Sequence, residues 1–214
     1  MSASQKNVTT TSRTWAWRVM TVLALLVVFY ALTLLFVPGA RPPFLQERYE
    51  RIPLAVLIHI GASAVAMALG PFQFVSSLRN RQPSIHRWMG RFYLGGVLAG
   101  GAAGFVMATM SQLGMVTHTG FALLAFTWIY TGLRAYQRIR AGDDVEHRRW
   151  MIRNFSLTLG AVTLRIYLPV ALALGVPFEI AYSAIAWLAW VPNLLVAELI
   201  GRQSVPDRRM AAAI

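Results

Sequence analysis

The chain has 214 residues, of which 57% are hydrophobic and only 13% charged, and its formal net charge is +12. Because a soluble domain carries about 25% charged residues, this composition excludes an ordinary soluble fold. The chain has no cysteine, which excludes a disulfide framework, a thiolate-bound iron–sulfur cluster and covalently attached c-type haem.

The apolar residues are arranged in long runs. A membrane-spanning helix needs about 20 predominantly apolar residues, and six stretches meet this requirement: 16–37, 53–77, 88–110, 115–133, 154–174 and 178–200. We therefore predict an all-α, polytopic integral membrane protein that forms a single membrane domain over residues 1–214, with tails at 1–15 and 201–214. The first stretch follows basic residues as a signal peptide does, but its apolar run is longer than the roughly 7–15 residues of a signal sequence. We expect it to be a retained helix.

The basic residues fall on one side of this six-helix chain. They are Lys6, Arg13, Arg18, Arg79, Arg81, Arg87, Arg91, Arg134, Arg138, Arg140, Arg148, Arg149, Arg153, Arg202, Arg208 and Arg209. The opposite side has only Arg41, Arg48 and Arg51, offset by Glu47 and Glu50. The positive-inside bias predicts that both termini are cytoplasmic in a bacterial cytoplasmic membrane. The charge thus indicates topology and excludes nucleic acid as a partner, while the lipid bilayer, including anionic lipid, is the expected one.

A phrase of the sequence occurs twice. HRWMGRF (86–92) and HRRWMIRNF (147–155) both supply His, Arg, Trp, Met, Arg and Phe in the same order, with one residue inserted in each half of the second copy. Upstream of each lies a His-x-Gly, at His59 and at His118, followed by an apolar stretch and an Arg-rich loop. This pattern predicts a four-helix core built from two duplicated hairpins, with the first and sixth helices beside it.

The four histidines occupy corresponding places in the two units. His59 and His118 are predicted near the outer ends of the second and fourth helices, and His86 and His147 at the inner ends of the third and fifth. Alternate helices of an up-down bundle lie across the core from each other, so that the two histidines of each pair can face each other. Two neutral imidazoles on rigid helices are suitable axial ligands for a b-type haem, which predicts one or two haems.

Other residues complete this hypothesis. The glycines of the third helix would leave room for a macrocycle and allow close packing through Gly96-x-x-x-Gly100-x-x-x-Gly104. This stripe could equally pack against a second copy of the chain in a homo-oligomer. Haem propionates need cations, for which Arg91 and Arg153 are the inner candidates and Arg165 the outer one.

Each candidate residue also has a simpler interpretation. His86 and His147 could be basic anchors beside tryptophans of the membrane interface. His59 and His118 could bridge helices or serve as protonation sites in a transporter. Arg165 could form a structural ion pair with Glu179, and Glu198 could lie at the inner interface near Arg202.

Two families resemble this chain. GPFQF (70–74), HRWMGRFY (86–93), WMIRNFSLTLGAVTLRIYLP (150–169) and AWLAWVPNLLVAE (186–198) resemble the bacterial membrane proteins of the DUF2306 family over about residues 55–200, which implies topology rather than activity. Six helices with one histidine on each of helices two to five resemble cytochrome b561. That resemblance implies one haem between His59 and His118 and another between His86 and His147.

The sequence therefore favours a membrane cytochrome that passes electrons within or across the membrane, with a quinone or a small reductant as the unidentified donor or acceptor. Whether such a protein is an oxidoreductase enzyme stays open. The alternative is a haem-free protein, either a small transporter or a membrane scaffold.

Overall fold

The computed structural model describes residues 3–204, with the side chains of residues 14–201. Every regular element in this part of the chain is helical, as predicted. The α-helices are α1 (Ala3–Phe36), α2 (Pro43–Arg51), α3 (Pro53–Leu69), α4 (Ser76–Arg81), α5 (Pro83–Thr109), α6 (Gly114–Arg140), α7 (Asp144–Thr158), α8 (Gly160–Ala173), α9 (Phe178–Leu188) and α10 (Val191–Ser204). Single 3-10 turns occur at Pro38–Ala40 and Pro71–Phe74.

Several helix bounds differ from the predicted ones. The second predicted helix, 53–77, ends at Leu69, because the Gly70-Pro71 step leads into a 3-10 turn. The fifth, 154–174, begins at Asp144, where the Asp143 side chain accepts a hydrogen bond from Glu146 N at 3.0 Å as an N-cap. The predicted tails are shorter, since α1 begins at Ala3 and α10 ends at Ser204. Their remaining residues, 1–2 and 205–214, lie outside the described residues.

The last two predicted helices are each interrupted. The fifth consists of α7 and α8, separated at Leu159, and the sixth consists of α9 and α10, separated at residues 189–190. The second break comes just before Pro192, which α10 tolerates in its first turn because the amide hydrogen there is not needed. The two extra helices, α2 and α4, are short and lie in segments that were predicted as connections or helix ends.

Five helical segments of the described chain are long and apolar enough to cross a membrane: Thr14–Phe36, Pro53–Phe74, Pro83–Thr109, Asp144–Ala173 and Phe178–Gly201. At most 39% of the apolar window of any of them is buried in the protein, so most of this apolar surface needs lipid around it. The fourth predicted span, 115–133, forms part of α6 but is not among the five. Polar residues in the first turns of α6 and arginines in its last turns lower its mean hydropathy.

Helices α3, α5, α6 and α7 form the centre of the molecule. Each packs on the next in chain order, with α3 on α5 the most extensive contact, and α7 meets α3 to close the ring. Consequently α3 and α6 lie across the bundle from each other, as do α5 and α7. Helix α1 packs on α3 and α8, and α9 packs on α6 and α8. This ring is the arrangement predicted for the central helices, although the duplication of its hairpins stays a prediction.

The two ends of the ring carry different connections. The end with α2 and the α5–α6 connection is called the α2 end here, and it corresponds to the predicted outer side. The end with α4 and the α6–α7 connection is called the α4 end, and it corresponds to the predicted inner side.

The glycine stripe of α5 packs within the chain, against α3. A Cβ atom built at each of its three positions would lie closer to α3 than any side chain allows: 2.6 Å from Ala62 O at Gly96, 2.7 Å from Ser63 Oγ at Gly100, and 2.8 Å from His59 Nδ1 at Gly104. Two helices approach this closely only where side chains are missing, as in other small-xxx-small contacts. The stripe therefore sets the position of His59 against α5.

Candidate histidine sites at the two ends of the bundle

His59 lies at the α2 end, held between α3 and α5. Its Nδ1 is 2.8 Å from the carbonyl oxygen of Gly100, and its ring fills the space beside Gly104. Because a carbonyl only accepts hydrogen bonds, Nδ1 must carry the hydrogen, and Nε2 of the neutral ring keeps its lone pair. This is the orientation that metal-bound histidines commonly adopt, with the other ring nitrogen donating to a carbonyl.

His118 lies at the same end but is oriented differently. Its Nε2 contacts the carbonyl oxygen of Ser111 in the connection between α5 and α6, so that Nε2 carries the hydrogen. No hydrogen bond or ring contact among the described residues joins His118 with His59. Before both rings could ligate one iron atom, His118 would have to turn away from Ser111.

His86 and His147 both lie at the α4 end. Each is the fourth residue of its helix, α5 and α7 respectively. The two rings are within electrostatic range of each other and of Arg79. His147 Nδ1 donates to the carbonyl oxygen of Ala135 at 2.8 Å, which leaves Nε2 as the free nitrogen. His86 Nδ1 is buried and has no hydrogen-bond partner among the described residues.

The repeated phrase produces the same local contact twice. The Arg91 guanidinium lies 4.6 Å from the centre of the Trp88 ring, and the Arg153 guanidinium lies 4.6 Å from the centre of the Trp150 ring. The environments nevertheless differ, because Trp88 is 57% exposed whereas Trp150 is partly buried against Tyr130. The residue inserted between histidine and tryptophan in the second copy rotates the tryptophan by about 100° around the helix.

The predicted propionate cations have other partners. Arg153 forms a two-point ion pair with Glu198, one contact of which joins Nη2 to Oε2 at 2.9 Å. Glu198 was predicted to lie near Arg202, whose side chain is outside the described residues. Arg91 is exposed and stacks on its tryptophan, so its outward nitrogens are accessible.

Arg165 lies within a membrane-spanning segment without a carboxylate beside it. Its guanidinium is 5.1 Å from the centre of the Tyr30 ring, and Nη1 donates to the carbonyl oxygen of Ala161 at 3.1 Å. Among the described residues it forms no ion pair, so the predicted pair with Glu179 is wrong. Arg165 is instead within electrostatic range of His59 and Tyr182.

A buried hydrogen-bond network in the middle of the bundle escaped the sequence analysis. Asn154 accepts from the Tyr93 hydroxyl at 2.6 Å and donates to Thr131 Oγ1 at 2.8 Å and to the Trp128 carbonyl at 2.6 Å. Trp128 Nε1 donates to Thr158 Oγ1 at 2.9 Å. All five residues are buried. The signal was present in the sequence, since Asn154 is the polar residue inserted between the arginine and the phenylalanine of the second copy.

This network limits where a large cofactor could lie. It joins α5, α6 and α7 between the levels of the two histidine pairs, so a haem would have to lie towards one end. The described residues contain no group of three or more His, Cys, Asp or Glu side chains that could hold a metal ion. At the α4 end, His86 Nδ1 and His147 Nε2 have no hydrogen-bond partner among the described residues and would be the atoms that hold a haem iron there.

The family model described as "Predicted membrane protein (DUF2306)" matches residues 56–201. The chain belongs to the DUF2306 family. The matched part of this DUF2306 protein includes all four histidines and begins after α2. No curated protein and no solved structure matches the chain.

The family and the apolar helices agree on one conclusion. This DUF2306 protein is a membrane protein with several apolar helices, and its environment is a lipid bilayer. The resemblance to cytochrome b561 stays a prediction.

Proposed function

We propose that this DUF2306 protein is a b-type membrane cytochrome whose haem lies between His86 and His147 and which passes electrons within or across the membrane. One observation carries the proposal. Two helices that lie across the bundle begin at the α4 end, and each brings its fourth residue, a histidine, within electrostatic range of the other. Each ring also has a nitrogen without a hydrogen-bond partner among the described residues.

The chain would contribute binding and orientation. The Ala135 carbonyl fixes the tautomer of His147. Because Nδ1 contacts this carbonyl of α6, Nε2 is directed away from α6. Arg79, which is near both rings, and the accessible Arg91 would take the propionates. Arg153 is neutralised by Glu198 and is a weaker candidate. A bound haem supplies one-electron chemistry, with a quinone or a small reductant as the exchange partner.

A second haem between His59 and His118, with Arg165 as its cation, has less support. His59 has the tautomer that iron ligation needs, and Arg165 lies near it. His118 is turned to Ser111 and would have to rotate. We therefore propose that the first haem binds at the α4 end.

We further propose that α6 crosses the membrane in addition to the five apolar segments, which makes six spans and places both termini in the cytoplasm of a bacterial cell. Support comes from the position of α6, which packs on α5, α7 and α9. Thr117, Trp128 and Thr131 of α6 are buried against these neighbours. A central helix tolerates polar residues because protein, rather than lipid, surrounds them.

Absorption spectroscopy tests the haem proposal directly. The protein is expressed with ample haem, purified in a neutral detergent, and its spectrum is recorded oxidised and after reduction with dithionite. We expect a reduced b-type spectrum that His86→Ala and His147→Ala each abolish, because an iron with two axial imidazoles loses its spectrum when either is removed. His118→Ala is the matched control and should keep this chromophore.

Two results would contradict the proposal. A folded, colourless wild-type protein would exclude haem and direct attention to transport or scaffold roles, for which substrate flux or partner binding would be measured. A spectrum that depends on His59 and His118 but not on His86 would move the haem to the α2 end.

A further inference from the structure

A cleft at the α2 end lies away from the His86–His147 site and adjoins His118, whose Nε2 contacts the carbonyl oxygen of the lining residue Ser111. Its volume is about 510 Å³, and it is enclosed by α2, the α5–α6 connection and the beginning of α9. This volume is within the range of about 300–1,000 Å³ that is usual for small-molecule sites. The cleft uses α2, which precedes the part of the chain that the family model matches.

The residues that line the cleft carry one more positive than negative charge. Arg48 and Arg51 both line it, and so does Glu47. Glu47 pairs with Arg51 at 3.7 Å, whereas Arg48 has no carboxylate within ion-pair distance among the described residues. With one carboxylate and two guanidiniums, the lining has a net charge of +1, which suits a monoanion.

Arg48 is also held in place. Its Nη2 donates to Ser111 Oγ at 2.9 Å, and Ser111 is only 6% exposed. This single bond fixes the guanidinium at the cleft and leaves its other donors for a ligand. A fixed guanidinium is well suited to an oxyanion, to which it can donate two parallel hydrogen bonds.

The rest of the cleft is apolar and aromatic. Phe44 and Phe178 line it, and their ring centres are 5.3 Å apart. Tyr182 lies behind them, with ring centres 5.8 Å from Phe44 and 5.3 Å from Phe178. An apolar wall beside one fixed cation, at the end of a membrane bundle, matches a molecule with a charged head and an apolar body.

We infer that this cleft binds an amphipathic monoanion, with its single carboxylate or phosphodiester on Arg48 and its apolar part against Phe44 and Phe178. Two sources supply this chemistry, an anionic lipid of the bilayer and a freely diffusing long-chain acid. The inference does not depend on haem, because the cleft shares no residue with the His86–His147 site.

Native mass spectrometry of the full chain in a neutral detergent can test it. The protein is titrated with dioleoyl phosphatidylglycerol, with dioleoyl phosphatidylcholine as the neutral-headgroup control, and separately with oleate, with oleyl alcohol as its control. We expect one equivalent of an anionic compound to be retained at least about tenfold more tightly than its neutral control. Retention of phosphatidylglycerol alone would identify a bilayer lipid, and retention of oleate alone a free acid.

Variants assign the binding to the cleft. Arg48→Gln should weaken retention at least about tenfold through loss of the charged hydrogen bonds, and Ser111→Ala should weaken it less, because the charge remains but its anchor is lost. Arg140→Gln, an exposed arginine at the α4 end, removes the same charge elsewhere and should leave retention unchanged. Met110→Trp keeps all charges but fills the cleft, and it replaces Arg48→Gln if that variant does not fold.

The inference is overturned by either of two results. One is equal retention of the anionic and the neutral compounds by the wild-type protein. The other is undiminished retention of the anionic compound by both folded Arg48→Gln and folded Met110→Trp.

Discussion

Asn154 holds three helices together through side-chain hydrogen bonds inside the bundle. It receives one bond from Tyr93 and gives two, to Thr131 and to the Trp128 carbonyl. Replacement by leucine of similar volume removes these bonds and leaves the Tyr93 and Thr131 hydroxyls with fewer partners. Each buried polar group left unsatisfied costs about 1–3 kcal/mol, whereas interhelical bonds within membranes average about 0.6 kcal/mol.

We therefore predict that Asn154→Leu lowers the free energy of unfolding by about 2 kcal/mol. This value lies between the average for one interhelical bond, about 0.6 kcal/mol, and the upper cost of one unsatisfied buried group, about 3 kcal/mol. Reversible unfolding in mixed detergent micelles measures it. Tyr93→Phe, which removes one hydroxyl, should cost about 1 kcal/mol. Because the two residues share a bond, the double variant should cost less than the sum of the single ones. An additive double variant would mean that the bond contributes no stability.

The positions of the histidines could be predicted from the sequence, but their partners could not. Spacing alone placed each histidine near a helix end. The partners of His59 and His147 are backbone carbonyls of Gly100 and Ala135, and every residue has such a carbonyl. Which carbonyl lies within hydrogen-bond distance depends on the axial offset between the two packed helices, and the residue types do not specify that offset.

The contact between α3 and α5 shows what a helix pattern can predict. The Gly96-x-x-x-Gly100-x-x-x-Gly104 stripe predicted a close helix contact, and the structure places α3 against it. The sequence left two partners open, a second copy of the chain and the chain's own core. The choice of α3 depends on the small residues Ala62 and Ser63 that face the stripe.

Adjacent glycines of α5 allow a matched test of this contact. A Cβ at Gly96 would lie 2.6 Å from the Ala62 carbonyl oxygen, whereas a Cβ at Gly95 would meet nothing within 4 Å. Gly96→Ala should therefore destabilise the protein by about 1–3 kcal/mol, since backbone must move to admit the methyl group. Gly95→Ala should be neutral or stabilise by up to about 1 kcal/mol through helix propensity.

The same unfolding titration measures both variants, and only their difference is informative. Equal stability of Gly96→Ala and Gly95→Ala would show that α3 and α5 do not pack as closely as described. The glycines would then have no packing role at this contact.

Five of the six predicted spans correspond to helical segments of the described chain that are long and apolar enough to cross a membrane, and the span predicted within α6 does not. Helix α6 packs on three other helices, so its side chains need not be apolar, and its threonines and tryptophan bond within the protein. The outer helices, which have more lipid around them, keep long apolar runs.

Whether α6 crosses the membrane determines the orientation of everything after it. With six spans the two termini share one side, whereas with five they lie on opposite sides. The chain has no cysteine, so each introduced cysteine is unique and can be labelled with a membrane-impermeant maleimide. Gln112 and Ala141 are exposed residues at the two ends of α6, and Gly39, also exposed, reports on the predicted outer side.

We predict that Gly39→Cys and Gln112→Cys are labelled in intact cells, and that Ala141→Cys is labelled only after the membrane is permeabilised. The reason is that the arginines beyond Ala141, including Arg148 and Arg149, retain the α6–α7 connection in the cytoplasm. Labelling of both Gln112→Cys and Ala141→Cys in intact cells would show that α6 does not cross. The α5–α6 and α6–α7 connections would then lie on the same side of the membrane, and the two termini on opposite sides.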